Sequence, residues 1–174
     1  VQVLTRDVNH LALDRRFDRV VTVEMFEHMR NYRQLLQRIA GWMKPDARLF
    51  VHVFCHRELM YPYETEGEDN WMGRNFFTGG LMPAADTLLY FQDDLAIDRQ
   101  WRMAGTHYEK TAEAWLANTD RHREEVREIF RVVYADEADR WVQRWRMFFM
   151  ACAELFGYDK GKEWMVAHYR FRSR

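Results

Sequence analysis

Two carboxylates and an imidazole stand close together at the end of an apolar run, Phe17-Asp18-Arg19-Val20-Val21-Thr22-Val23-Glu24-Met25-Phe26-Glu27-His28-Met29. The β-branched stretch 17–23 reads as a strand buried on both faces. That puts Glu24, Glu27 and His28 at its carboxyl end, where open α/β sheets bind their ligands. A carboxylate beside a histidine at such a place is a candidate proton acceptor. One acid alone would read as a helix start, which favours negative charge; two acids and a histidine weigh toward chemistry. His52, amid Phe50, Val51, Val53 and Phe54, reads by itself as a hydrogen-bonded core residue. It lies on the strand after that of Glu27, however, so the two can face one pocket. Tyr108 follows the Gly105-Thr106 turn at another strand end, a weak signal alone. Asp7 reads either as a strand-end acid of a nucleotide-binding sheet or as the cap of an Asp7-Val8-Asn9 turn.

Other chemistries find less support. Glu24-x-x-Glu27-His28 and His52-x-x-Cys55-His56 are similar to carboxylate–histidine and thiolate–imidazole metal sites. Neither has the helical ligand pair with remote partners that such sites need, so no metal is expected. Serine nucleophiles are excluded, because the only serine is Ser173. Cys152 lies on an apolar stripe and reads as an inert core thiol.

The elements that must position these groups come from an alternating pattern in 174 residues, enough for one domain with a sizeable core. Residues 1–6 read as a short strand ending at Asp7. A helix is expected from about Met25 to Met43, with Phe26, Met29, Leu35, Leu36, Ile39 and Met43 on one stripe, stopped by Lys44-Pro45-Asp46. Arg48–Phe54 reads as a buried strand, and the alternation indicates βαβ units with a parallel sheet. The aromatic segment 56–93 is too long for a plain connection and reads as an ordered cap over a site. A strand is expected at 95–103, two long helices after it, a turn at Asp159-Lys160-Gly161 and a last strand at 163–171.

Composition bounds the partners. Hydrophobic residues are 48% and aromatics 16%, which fits a globular chain with a ring-lined site or interface. Net charge is −1, with no polybasic stretch, so neither nucleic acid nor a charged membrane surface is expected as partner. Two cysteines, no apolar run of membrane-spanning length and no secretory leader point to a reducing, cytoplasmic setting. Oligomeric state is not legible.

Taken together, several segments resemble the cyclopropane-fatty-acyl-phospholipid synthase superfamily of S-adenosylmethionine-dependent methyltransferases, and within it the coclaurine N-methyltransferase-like branch. They are FDRVVTVEMFEHMRNY (17–32), LFVHVFCH (49–56), NWMGRNFFTGGLMP (70–83), LLYFQDDL (88–95), HYEKTAEAWL (107–116), FFMACAELFGY (148–158) and EWMVAHYRF (163–171). The resemblance spans nearly the whole chain. It implies an α/β fold, a partial doubly wound Rossmann-like sheet with a helical and aromatic cap, lacking the first strands and the glycine-rich loop. The chain then reads as the C-terminal portion of one methyltransferase domain, with a cap insertion at about 56–93 and a helical cap or core at about 107–157.

The same resemblance assigns roles by position. Asp7 and Val8 fall near the adenine of S-adenosylmethionine, and Glu24 on the acidic position of the N-methyltransferase branch. Glu27 and His28 match an acid/base pair. In the cyclopropane branch the positions of Glu27, His52 and Tyr108 surround a bound bicarbonate. Phe77 and Trp164 match aromatic positions near the acceptor. The implied activity is methyl transfer to an amine or to a lipid alkene. The alternative is a non-catalytic fragment that cannot bind the methyl donor without the preceding part.

Overall fold

The computed structural model describes all residues, Val1–Arg174. Four strands form the central sheet in the order β1 (Phe17–Val23), β2 (Met43–His56), β6 (Trp164–Ser173), β5 (Leu95–Met103). β1 and β2 run parallel, joined through α1 (Tyr32–Gly41), as the βαβ pattern predicts. The sheet is mixed, not parallel throughout, because β6 runs antiparallel to both β2 and β5. Between β2 and β5 lie a two-stranded ribbon of β3 (Tyr61–Pro62) and β4 (Leu81–Met82) and the short α2 (Trp71–Asn75). Three helices follow β5, where two were expected: α3 (Thr106–Arg121), α4 (Arg123–Tyr134) and α5 (Ala138–Gly157).

The period of two along β2 divides its side chains between two environments. Leu49, Val51, Val53 and Cys55 point to one face. They pack with Met165, Ala167, Tyr169 and Phe171 of β6 and with Leu35, Leu36 and Ile39 of α1. Each such aliphatic side chain contributes roughly 1.5–3 kcal/mol by leaving water. His52, Phe54 and His56 point to the other face. Beyond them a smaller cluster of Phe54, Met82, Ala112, Cys152 and Phe156 joins the sheet to α3 and α5.

Several expectations are corrected. Residues 1–6 form no strand, since no backbone partner pairs with them. β1 is the sheet edge and is not buried on both faces: Val21 and Val23 are 64% and 57% exposed. The helix begins at Tyr32 rather than at Met25, because Asn31 caps it, its Oδ1 accepting from Gln34 N at 3.2 Å. Phe26 is buried from a single 3-10 turn, Phe26–His28, so the apolar stripe spans two elements. Lys44-Pro45-Asp46 does not lie between elements. It forms a bulge inside β2, where Asp46 has φ 63° and the pairing jumps from Phe17↔Met43 to Arg19↔Arg48. The turn at Asp159-Lys160-Gly161 is present, with positive φ at all three residues.

Candidate functional site

β1 ends on a strained residue. Glu24 has φ 51°, a left-handed conformation costly for a side chain with a Cβ, and its N–H donates to the His52 carbonyl at 3.1 Å. The sharp turn brings the Glu24 carboxylate toward β2. Oε1 lies 3.0 Å from His52 Nε2 but off the ring's N–H axis, and Oε2 accepts from the Tyr108 hydroxyl at 3.2 Å. One turn on, Glu27 is 1% exposed, and its carboxyl lies close enough to that of Glu24 for the two to interact by charge.

Tyr108 reaches the site because α3 starts hard against the rest of the fold. A Cβ on Gly105 would lie 2.1 Å from the Trp164 carbonyl oxygen and 2.4 Å from that of Phe156, so only glycine fits there. Tyr108 then stacks on Phe156 with ring centroids 4.4 Å apart. A cavity of about 260 Å³ opens beside it, lined wholly by apolar and aromatic side chains, among them Phe54, Tyr63, Phe77, Tyr108, Phe148 and Phe156. Phe77 stacks on Tyr63 at 4.8 Å and on the His28 ring at 5.6 Å.

The electrostatics follow from burial. Desolvation, then the Glu24 charge, push Glu27 up to about 8. Desolvation also raises Glu24 above the ordinary carboxylate range, against the hydrogen bond from Tyr108 that lowers it. Burial lowers His28, His52 and His168, which favours neutral imidazoles. Buried Glu24 Oε1 and Glu27 Oε2 have no hydrogen-bond partner. Two raised carboxyls in contact can share one proton between them, the arrangement a buried proton acceptor needs.

Of the sequence-predicted residues, the structure thus brings together Glu24, Glu27, His28, His52 and Tyr108, with Phe77 on the cavity wall. The Glu27–His28 pair is loose, at 3.9 Å from Oε1 to Nε2, and it is the Glu24 charge, after burial, that most raises Glu27. Trp164 does not line the cavity; its indole N–H donates to the Tyr61 hydroxyl at 2.9 Å and its ring packs on His56. Asp7 is exposed, and its Oδ1 accepts from Asn9 N at 2.8 Å, the capped-turn alternative. Val8 packs against the α1 side of the core. Cys55 points away from His52 and His56, so β2 itself splits that candidate metal triplet. Burial pushes Cys152 up to about 12, so its thiol stays protonated, as its apolar stripe predicts.

Sequence reasoning missed Tyr63, Phe156 and His168. His168 Nε2 lies 2.9 Å from His52 Nδ1, and the two are direct cross-strand partners. The signal was present in the alternating runs 49–56 and 163–171, but it needed the antiparallel register.

The family described as mycolic acid cyclopropane synthetase matches residues 1–164. The chain belongs to this family. It is 41% identical to (S)-coclaurine N-methyltransferase of Papaver somniferum over 178 residues, covering 100% of this chain and 51% of that protein. A crystal structure of coclaurine N-methyltransferase bound to N-methylheliamine and SAH (S-adenosylhomocysteine) superposes with TM-score 0.91 at 33% identity, over 99% of this chain and 51% of that one. Cyclopropane-fatty-acyl-phospholipid synthase of Escherichia coli (strain K12) is 24% identical, over 98% of this chain and 41% of that protein. The chain therefore spans about half the length of the curated N-methyltransferases it matches.

The acids at the end of β1 fit the positive charge of a sulfonium donor, since Glu24 Oε1 is buried without a hydrogen bond. Bicarbonate does not fit. His52 and Tyr108, the groups expected around it, both close on the Glu24 carboxylate, and an added anion would meet two acids.

Proposed function

We propose that this chain is the acid–base and acceptor-binding part of an S-adenosylmethionine-dependent N-methyltransferase. The observation that carries the reading is the buried carboxyl pair Glu24–Glu27, joined through the Tyr108 hydroxyl to an aromatic cavity that Tyr108 lines. S-adenosylmethionine, when bound, supplies an electrophilic methyl group. This chain's residues prepare the acceptor. An amine attacks only as the free base, so the site must take the proton of the incoming ammonium. The Glu24–Glu27 pair, sharing one proton and one negative charge beforehand, takes it and becomes neutral, and Tyr108, donating to Glu24 Oε2, steadies the charge until the proton arrives. Phe77, Tyr63 and Tyr108 present ring faces that favour a cation and hold a flat acceptor in line. His28, stacked on Phe77, packs the ring wall beside the acids. Segment 56–93 acts as the cap over this site and 107–157 as its helical wall.

The test is S-adenosylhomocysteine formation by the enzyme that carries this chain, offered a secondary cyclic amine or an unsaturated phospholipid. Turnover with the amine, abolished by Glu27→Gln, is expected; turnover with the lipid alone would overturn the reading. A second reading is that the chain by itself does not bind the methyl donor. It is favoured by the Asp7 carboxylate, engaged in its own turn, and by the open outer edge of β1. Calorimetry of the isolated chain with S-adenosylmethionine should give no heat, and ordinary micromolar binding would contradict it.

A further inference from the structure

His168 touches neither the cavity nor the acids, yet it governs the histidine that does. Its Nε2 lies 2.9 Å from His52 Nδ1, and the other nitrogen of His52 lies 3.0 Å from Glu24 Oε1. Sheet register fixes the pair: His52↔His168 are partners across β2 and β6, and Trp101 faces His168 from β5. Phe50 packs on the His168 ring at 5.0 Å, so both imidazoles are held in place.

A neutral imidazole carries one proton, and its hydrogen-bond partners decide which nitrogen bears it. A carboxylate oxygen 3.0 Å from Nε2, even off the N–H axis, favours the proton there, because a bare nitrogen would set lone pair against lone pair. His52 Nδ1 must then be bare, and the group facing it must donate. We propose that His168 is a positioning residue whose Nε2–H donates to His52 Nδ1 and locks His52 in the Nε2–H tautomer, facing Glu24. No proton passes through His168. Its work is to keep the protonated nitrogen of His52 on the Glu24 side, so that the acid pair meets the acceptor with room for one more proton. Without it, His52 divides between two tautomers. The one with a bare Nε2 drives Glu24 to hold a proton before the acceptor arrives.

This inference rests on the reading of Glu24 and Glu27 as the proton-accepting pair, but its direct readout does not. In the chain labelled with 15N-histidine, ring nitrogen shifts near neutral pH should report a bare Nδ1 and a protonated Nε2 at His52. His168→Phe should average the two nitrogens, and His168→Gln, which retains an N–H donor, should restore the wild-type pattern. In the enzyme that carries this chain, His168→Phe should lower kcat about tenfold with KM unchanged, and the Gln variant should recover most of it. A wild-type His52 protonated on Nδ1, or an unchanged pattern in folded His168→Phe, would overturn the proposal. If His168→Phe does not fold, the wild-type and His168→Gln spectra decide alone. The spectra need neither methyl donor nor acceptor. Correct shifts with no methyl transfer would therefore sink the functional reading and leave the positioning role standing.

Discussion

His52 and His56 lie on the same face of one strand, each beside a glutamate, and they do opposite things. His56 is satisfied on every side: Nδ1 accepts the N–H of Glu58 at 3.0 Å and of Leu59 at 2.8 Å, while Nε2 meets Glu163 Oε1 at 2.9 Å. Arg57 closes the other oxygen of Glu163 at 3.3 Å. His52 faces Glu24 Oε1 off its axis, and that oxygen and Glu27 Oε2 are buried without a hydrogen bond. A saturated network holds chain to chain: the first pair pins the end of β2 to the start of β6. An unsaturated one retains capacity for a proton or a cation. The lesson is that residue type and spacing do not tell a staple from a site; the count of unmet hydrogen bonds does.

Disabling the acid pair should separate the two regions most sharply. Glu27→Gln in the enzyme that carries this chain should cut turnover by about 10²–10⁴-fold while the fold survives, as activity and near-ultraviolet circular dichroism would report. His56→Ala should do the reverse to stability. It strands two backbone N–H groups and leaves Glu163 with only Arg57, a cost of about 2–4 kcal/mol by urea denaturation. Next is pH. The Glu27 carboxyl titrates near 4.5 when unfolded and near 8 when folded, so between those values the folded chain holds the extra proton. Its contribution to stability is therefore fully present below about 4.5 and is lost as pH rises toward 8. Glu27→Gln should flatten that decline in a series of melts. Tyr108→Phe removes one hydrogen bond to a charged oxygen and should lower kcat about tenfold. Smallest is Asp7→Ala, which loses only an exposed turn contact and should leave the thermal midpoint in place.

Much of this arrangement is legible in the sequence. The strands at 17–23 and 95–103 and the αβ alternation came from period-two and helical patterning. Glu24, Glu27, His52 and Tyr108 were each marked by standing at strand ends or on the strand between. Three things stayed hidden, for physical reasons. The start of α1 was masked because Phe26 and Met29 feed the same core as Leu35 and Ile39 from outside the helix. Exposure of β1 depends on what lies beside it, which its own sequence does not encode. His168 was hidden because its meaning depends on a register across 116 positions of sequence. Adjacency in sequence pairs Glu27 with His28, whereas the turn at Glu24, with its φ of 51°, brings the Glu24 charge to bear on Glu27.

Carbon-13 NMR of the chain labelled at glutamate side-chain carboxyls reads the shared proton itself. The upper step of the Glu24–Glu27 pair should appear with a midpoint near 8 and vanish in Glu27→Gln. If both carboxyls ionise together near 4.5, the pair holds no proton at neutral pH and the account of the site fails.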